Sequence, residues 1–383
     1  MNYKMMLNIM LILILLSGCS GSLEVSQERA KVAKQNGEIV IGVAWPFASK
    51  DDLFEEGIDL AVKEINAAGG ILGSPLRLVK EDDQSSITHG LSVAQSFANN
   101  LDMVAVIGHR NSAISIPAAA IYENAGLLML TPASTASDLT HLGYKQVFRS
   151  IPNDEQVGQQ MSQYALNRGY RNIAIFYKDD ANGQGLANAF EDRATDSGIN
   201  IIDRISSYTD LNDLQRIADM WTTLGVDAVF LADIMPEGAE FITKLRQVGI
   251  DVPIIGGDGL DSELLGSVGG KAVEGTVVAS EFNPNDKSEQ TAEFVKGFTE
   301  QYKVAPTTWA AQGYDAVYLL TEAIKTAGSR VPADIAIALQ KMKAWAGVTG
   351  NYSFDSNGDV LDKPIVKKIY RDGHFDYLDE GGN

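Results

Sequence analysis

The chain has 383 residues, 45% of them hydrophobic, and carries 50 Asp and Glu against 31 Lys and Arg, a formal net charge of -19 at pH 7. So acidic a surface repels phosphate backbones and anionic lipid headgroups, which argues against nucleic acid and against peripheral membrane binding. The length is generous for one core and suits two packed lobes.

The chain opens with Lys4, the apolar run Met5 to Leu16, and then Ser17-Gly18-Cys19. That run is well short of the roughly 20 residues of a spanning helix. A basic start, a short apolar stretch and small residues before a cysteine instead make a lipoprotein signal. Residues 1–18 are therefore expected to be removed and Cys19 lipidated. The mature chain would lie outside the cytoplasm, on the periplasmic side or the outer cell surface, touching membrane only through its lipid anchor. Cys19 is the sole cysteine, so no disulfide can form within the chain. Residues 19–37 read as a lipidated polar tether, partly helical.

Ile39 to Ala44 is an apolar run of strand length, as expected for a parallel strand covered on both faces. Phe54, Ile58, Ala61 and Ile65 then form one helical stripe, ended by Ala68-Gly69-Gly70. The alternation continues with strands at 76–79, 103–107 and 127–130 and helices at 91–101 and 115–124. A second series follows from near Ile151, with helices at 155–168, 185–197, 212–224 and 237–248 and strands at 172–177, 200–206, 228–232 and 253–256. A strand at 275–280, helices at 289–302 and 309–327, and strand-like segments at 348–354 and 364–370 complete the chain. This pattern predicts an α/β fold of two Rossmann-like lobes with doubly wound parallel sheets. Lobe 1 is expected over 38–150 plus 282–355 and lobe 2 over 151–281 plus 356–378. Crossings near Ser150, Glu281 and Phe354 would make a three-strand hinge about a cleft.

Ligands of open α/β sheets sit beyond the carboxyl ends of the strands, so the segments after each strand are the candidates. Gly108-His109-Arg110-Asn111-Ser112 leads into a helix whose free N–H groups suit an anion, and Thr131-Pro132-Ala133-Ser134-Thr135 offers three hydroxyls. Together they could hold a carboxylate without formal positive charge. In the second lobe Asp258, set among Gly256, Gly257 and Gly259, could pair with an ammonium group, and Ile234 lies in a further stretch of wall. Trp45, after the first strand, is an aromatic candidate for the cleft mouth. Helix capping, turn formation and core packing explain these residues equally well on local evidence.

Enzyme signatures are missing. There is no nucleophile elbow and no phosphate-loop lysine, and His89, His109, His141 and His374 show no metal spacing. Asp355-Ser356-Asn357-Gly358-Asp359 suggests a calcium loop, but Val360 stands where that loop needs glycine, so a hairpin turn is expected. The chain is read as a non-enzyme with no metal and no cofactor.

Residues 57–73, Asp82-Asp83-Gln84, Gly108-His109, Leu130 to Thr135, Gly183-Gln184-Gly185 and Phe354-Asp355 with Gly358-Asp359 stand in the order and spacing of a known family. From Glu38 to about Tyr370 the chain resembles the type I periplasmic binding proteins, in particular the branched-chain amino acid (leucine/isoleucine/valine) binding group of ABC transporters. The resemblance implies two lobes joined by three strands, a ligand enclosed between them, and delivery to the membrane subunits of an ABC permease. It places carboxylate binding on Ser112, with Asn111 beside it, on the backbone of Ala133 and on Thr135, and the acidic partner of the ammonium on Asp258. Asn182 and Ile234 stand where leucine-binding relatives have tyrosines, so leucine specificity does not follow. The expected ligand is a small amino acid or related zwitterion or amide, its choice set around Trp45, Asn182 and Ile234. The alternative is a sensing receptor module of the same fold, signalling to an envelope partner.

Overall fold

A computed structural model describes residues 25–48 and 52–378. Cys19, the signal segment and part of the loop between Trp45 and Asp52 lie outside the described residues. Residues 25–35 form helix α1. Then come β1 (Ile39–Trp45), α2 (Phe54–Ala67), β2 (Leu76–Asp82), α3 (Ile87–Asn99), β3 (Met103–Gly108), α4 (Ser112–Asn124), β4 (Leu128–Thr131), α5 (Asp138–His141) and β5 (Val147–Arg149). The five strands make an all-parallel sheet in the order β2-β1-β3-β4-β5. Position in the sheet explains the sequence patterns. Every residue of β1 and β3 is buried, whereas edge strand β2 buries only Leu76.

The second series is α6 (Asp154–Arg168), β6 (Asn172–Tyr177), α7 (Ala181–Asp196), β7 (Asn200–Ile205), α8 (Leu211–Thr223), β8 (Ala228–Ala232), α9 (Glu237–Gln247), β9 (Ile254–Gly256), α10 (Leu264–Gly269) and β10 (Val277–Ser280). The chain then returns to the first lobe as α11 (Glu289–Tyr302), α12 (Thr308–Ala327), α13 (Pro332–Lys341) and the hairpin β11 (Trp345–Gly347) and β12 (Gly350–Tyr352). Its last strands, β13 (Val366–Arg371) and β14 (His374–Tyr377), add antiparallel edges to a second sheet of order β14-β13-β10-β9-β8-β6-β7. The fold is thus mixed α/β in two lobes.

Core residues of α2, β1 and β3 share one cluster with Val317, Leu320 and Ile324 of α12. The two helices meet closely: a Cβ on Gly57 would stand 2.1 Å from the Ala310 carbonyl oxygen. The expected strand at 348–354 is instead a hairpin at 345–352. Its turn is pinned by the buried Asp315 carboxylate, which accepts the N–H groups of Val348 at 2.8 Å and Thr349 at 2.9 Å. The segment after Phe354 is the expected turn, with Phe354 and Val360 bridged antiparallel and Asp355 accepting the N–H groups of Asn357 and Asp359.

The main chain passes between the sheets after Arg149, after Ser280 and between Phe354 and Val366. Two of these passages are locked together. Arg149 and Asp359 form a parallel bridge, and the Arg149 side chain, 0% exposed, donates to Asp359 Oδ1 at 2.7 Å and to the carbonyls of Ser134 and Ala136 at 3.1 and 2.7 Å. Thr140 completes the cage, accepting from Arg149 and donating to Asp359.

Candidate ligand-binding site

Each sheet reverses its strand order once, between β1 and β3 in the first lobe and between β6 and β8 in the second. Loops leaving such a switch point diverge and open a crevice at the carboxyl ends of the strands. A cavity of about 340 Å³ lies there, bounded by Ser85, Arg110 to Ala113, Ala133 and Trp309 from one lobe and by Lys178, Asp180, Asn182, Ile234 to Glu237, Asp258 and Gly259 from the other. This is the low end of the range for small-molecule sites and suits a solute of amino acid size.

Six of the eight candidate residues line the cavity: Asn111, Ser112, Ala133, Asn182, Ile234 and Asp258. Asn111 is the N-cap of α4 but makes no side-chain capping bond, so its amide remains available beside the helix N-terminus. Ser112 Oγ accepts from the Ala136 N–H at 3.2 Å, tying the loops after β3 and β4 together. Thr135 stands just behind the wall. It is fully buried, and its hydroxyl oxygen accepts from Asn182 Nδ2 at 2.7 Å, a hydrogen bond between the lobes.

Trp45 does not line the cavity. Its ring stacks on Phe54 at 3.7 Å and its indole N–H donates to Asp52 Oδ2 at 2.8 Å, so the apolar ring is consumed by the core and its polar atom is satisfied. It reaches the cleft only indirectly, as a support for Arg110. The guanidinium of Arg110 lies 5.8 Å from the Trp45 ring and 5.1 Å from the Trp309 ring, with Asp52 Oδ2 at 3.4 Å. The expectation of an uncharged first-lobe wall is therefore corrected: a fixed cation stands beside Asn111 and Ser112. The neighbouring His109 has a structural place instead, fully buried between Asp83 Oδ2 at 2.8 Å and the Tyr122 hydroxyl at 3.0 Å.

Asp258 is 4% exposed and opens a short 3-10 turn after β9. Burial pushes its carboxyl up to about 6, opposed by its backbone hydrogen bond, raised further by Asp261 and lowered by Arg110. At neutral pH it is an anion held in a poor solvent, ready for a cation. Behind Thr135, burial pushes the Asp154 carboxyl up to about 8 against the pull of the Thr135 hydroxyl, so an acid backs that hydroxyl in its neutral form at pH 7. Removing the Arg110 charge should raise Asp258 further. Arg110→Gln is thus expected to move the acid limb of ligand affinity toward neutral pH, read by calorimetry across pH 5–8.

Arg110 and Trp309 are among the cavity residues that reading the sequence did not name as candidates, as are Ser85, Lys178 and Asp180. Arg110 could have been found, since it directly precedes Asn111 in the loop after β3. Trp309 could not, because it comes from α12, some 200 residues away, and only tertiary contacts, with Arg110, Trp45 and the Asp261 carbonyl, bring it to the cleft.

Comparison with known proteins agrees with this geometry. Residues 38–366 match the family described as periplasmic binding protein. "Leu/Ile/Val-binding protein homolog 1" of Brucella suis biovar 1 is 30% identical over 356 residues, which cover 90% of this chain and 94% of the relative. An ABC transporter substrate-binding protein from Desulfitobacterium hafniense, solved in complex with Leu, is 48% identical with a TM-score of 0.83, over 89% of this chain and all of that one. A leucine-binding protein from Thermotoga maritima shows 29% identity and a TM-score of 0.82, over 89% of this chain and 98% of the other. With its two switch-point crevices facing one cavity, the chain belongs to the periplasmic binding protein family, among the branched-chain amino acid substrate-binding proteins of ABC transporters.

Proposed function

We propose that the protein captures a small amino acid in the interlobe cleft and delivers it to an ABC permease, held outside the cytoplasm by a lipid on Cys19. The observation that carries the reading is the placement of Asp258 opposite the N-terminus of α4 across one cavity. Ser112, Asn111 and the Ala133 backbone face the ligand carboxylate, with Thr135 joining them once Asn182 releases it. Asp258 pairs with the ammonium. Because the two charged ends are gripped from different lobes, a bound ligand favours the closed arrangement by its differential affinity. The Leu-bound Desulfitobacterium relative and the aliphatic wall of Ile234, Met235 and Pro236 support an aliphatic side chain. The passages after Arg149, after Ser280 and between Phe354 and Val366 support lobe limits of 38–150 plus 282–355 and 151–281 plus 356–378.

A thermal-shift screen of the common amino acids tests this. Leucine, isoleucine, valine or alanine should raise the melting temperature, while free amines and free fatty acids should not. A shift from none of the amino acids would defeat the reading.

The pH dependence follows from Asp258. Its protonation removes the ammonium partner, so affinity should be flat above about pH 7 and fall about tenfold per unit below about 6. The unliganded protein responds in the opposite sense. A carboxyl raised from 3.8 binds its proton more tightly when folded, so this group adds stability as pH falls from 6 toward 4. The ligand-induced melting shift should therefore shrink over the same window.

A further inference from the structure

Helix α1 precedes the family match at residue 38, yet it is built into the first lobe. Arg29 is 0% exposed, and its guanidinium donates to four main-chain carbonyls: Ala98 at 2.5 Å, Asn100 at 2.7 Å, Met103 at 2.9 Å and Ala125 at 3.1 Å. Two of these oxygens end α3 or its loop, one begins β3 and one caps α4, so a single cation meets the negative ends of two helices. Ala33 lies in the first-lobe core, and a Cβ on Gly126 would stand 2.1 Å from Ser26 Oγ. The residues expected to be a partly helical polar tether are, over 25–35, a helix docked on the lobe.

The docking place matters. Asn100, Met103 and Ala125 all lie at the amino ends of the first sheet's strands, whereas the cavity lies at their carboxyl ends. β1 separates the two edges by roughly 20 Å, and α1 with its side chains adds about 10 Å. From Cys19 to Val25 the chain can span at most about 20 Å. With α1 docked, a lipid on Cys19 holds the lobe by the edge opposite its cleft. Releasing residues 25–36 adds about 40 Å of reach. An eleven-residue helix is marginal in water by itself, so release and unfolding would coincide.

We propose that α1 is a releasable strap: docked through Arg29 it turns the cleft away from the anchoring membrane, and undocked it lets the cleft reach a partner in that membrane. This rests on the lipid-anchored importer reading.

The test uses the full lipidated chain on vesicles. A fluorophore is placed on Lys145→Cys, exposed before β5, or on Gln84→Cys, exposed after β2, and transfer to a headgroup-labelled lipid is measured. Transfer should be at least twofold stronger from position 145 than from 84, and amides of 25–35 should exchange slowly. Arg29→Ala should abolish both effects while leaving ligand affinity within twofold. A twelve-residue Gly/Ser spacer before Val25 should keep slow exchange but at least halve the transfer difference. Equal transfer in the parent chain, or slow exchange retained in Arg29→Ala, would overturn the strap. An unacylated Cys19 by mass spectrometry would overturn its membrane half together with the lipid reading, while fast exchange of 25–35 in the parent chain would overturn the docking alone.

Discussion

Replacing Asp258 with alanine should weaken amino acid binding at least tenfold without destabilising the unliganded protein. The carboxylate is 4% exposed, and on the proposed function closure would bury the ligand ammonium against it. Truncating one member of such a buried, hydrogen-bonded charge pair costs on the order of 2–5 kcal/mol, chiefly because the remaining charge is left desolvated. That corresponds to roughly 30-fold to several-thousand-fold in Kd. The local backbone exists to present this group. A Cβ on Gly259 would stand 2.6 Å from the Asp233 carbonyl oxygen, so the turn can pack against the loop after β8 only with glycine beside the acid. The unliganded protein should not suffer, because burial already raises the carboxyl to about 6 and its ionised form costs stability at neutral pH. Calorimetry and a melting curve on Asp258→Ala therefore separate binding from folding. Unchanged affinity would remove Asp258 from the site, and a large drop in melting temperature would reassign it to structure.

Asp359→Ala should be the most damaging of the single changes to stability. Arg149 would keep its carbonyl and Thr140 contacts but lose the anion that balances a fully buried guanidinium. Breaking a buried pair from one side costs about 3–5 kcal/mol, far more than the intact pair contributes relative to apolar replacements. The melting temperature should fall by roughly 4–7 °C. Because the pair joins two of the passages between lobes, the variant should also loosen the hinge, seen as faster amide exchange at 147–153 and 354–360. A shift under about 2 °C would show that the cage does not hold the crossing.

The architecture was legible where burial writes itself into composition. Ile39 to Ala44 and Ala228 to Ala232 read as strands because both faces are covered, and the Phe54, Ile58, Ala61 and Ile65 stripe read as a helix because it faces a core. Short elements did not. α5 and β5 span four and three residues, too few to show a period, and the β11–β12 turn depends on Asp315, more than 30 positions away. Helix α13 begins at Pro332, a start signal that the reading passed over. In the site, strand ends and glycine-flanked turns pointed to the loops after β3, β4 and β9, from local order alone, and the family resemblance to Ser112 and Ala133 within the first two; all three loops contribute to the cavity lining. Trp45 was misplaced because an aromatic at a strand end looks the same whether it faces a cleft or stacks on Phe54. The role of Arg29 was hidden for a similar reason. A basic residue in a polar stretch ordinarily stays in water, and only the four converging carbonyls show why this one does not.

On the proposed function, one small zwitterion is held at both of its charged ends, each from a different lobe. Calorimetric titration with leucine, 4-methylpentanoate and 3-methylbutylamine measures this directly, since the last two keep the aliphatic chain but each lack one charged group. Leucine should bind, and each analogue should bind at least about a hundredfold more weakly, the amine losing the donors at Ser112 and Ala133 and the acid losing Asp258. An analogue that binds as tightly as leucine would contradict the account.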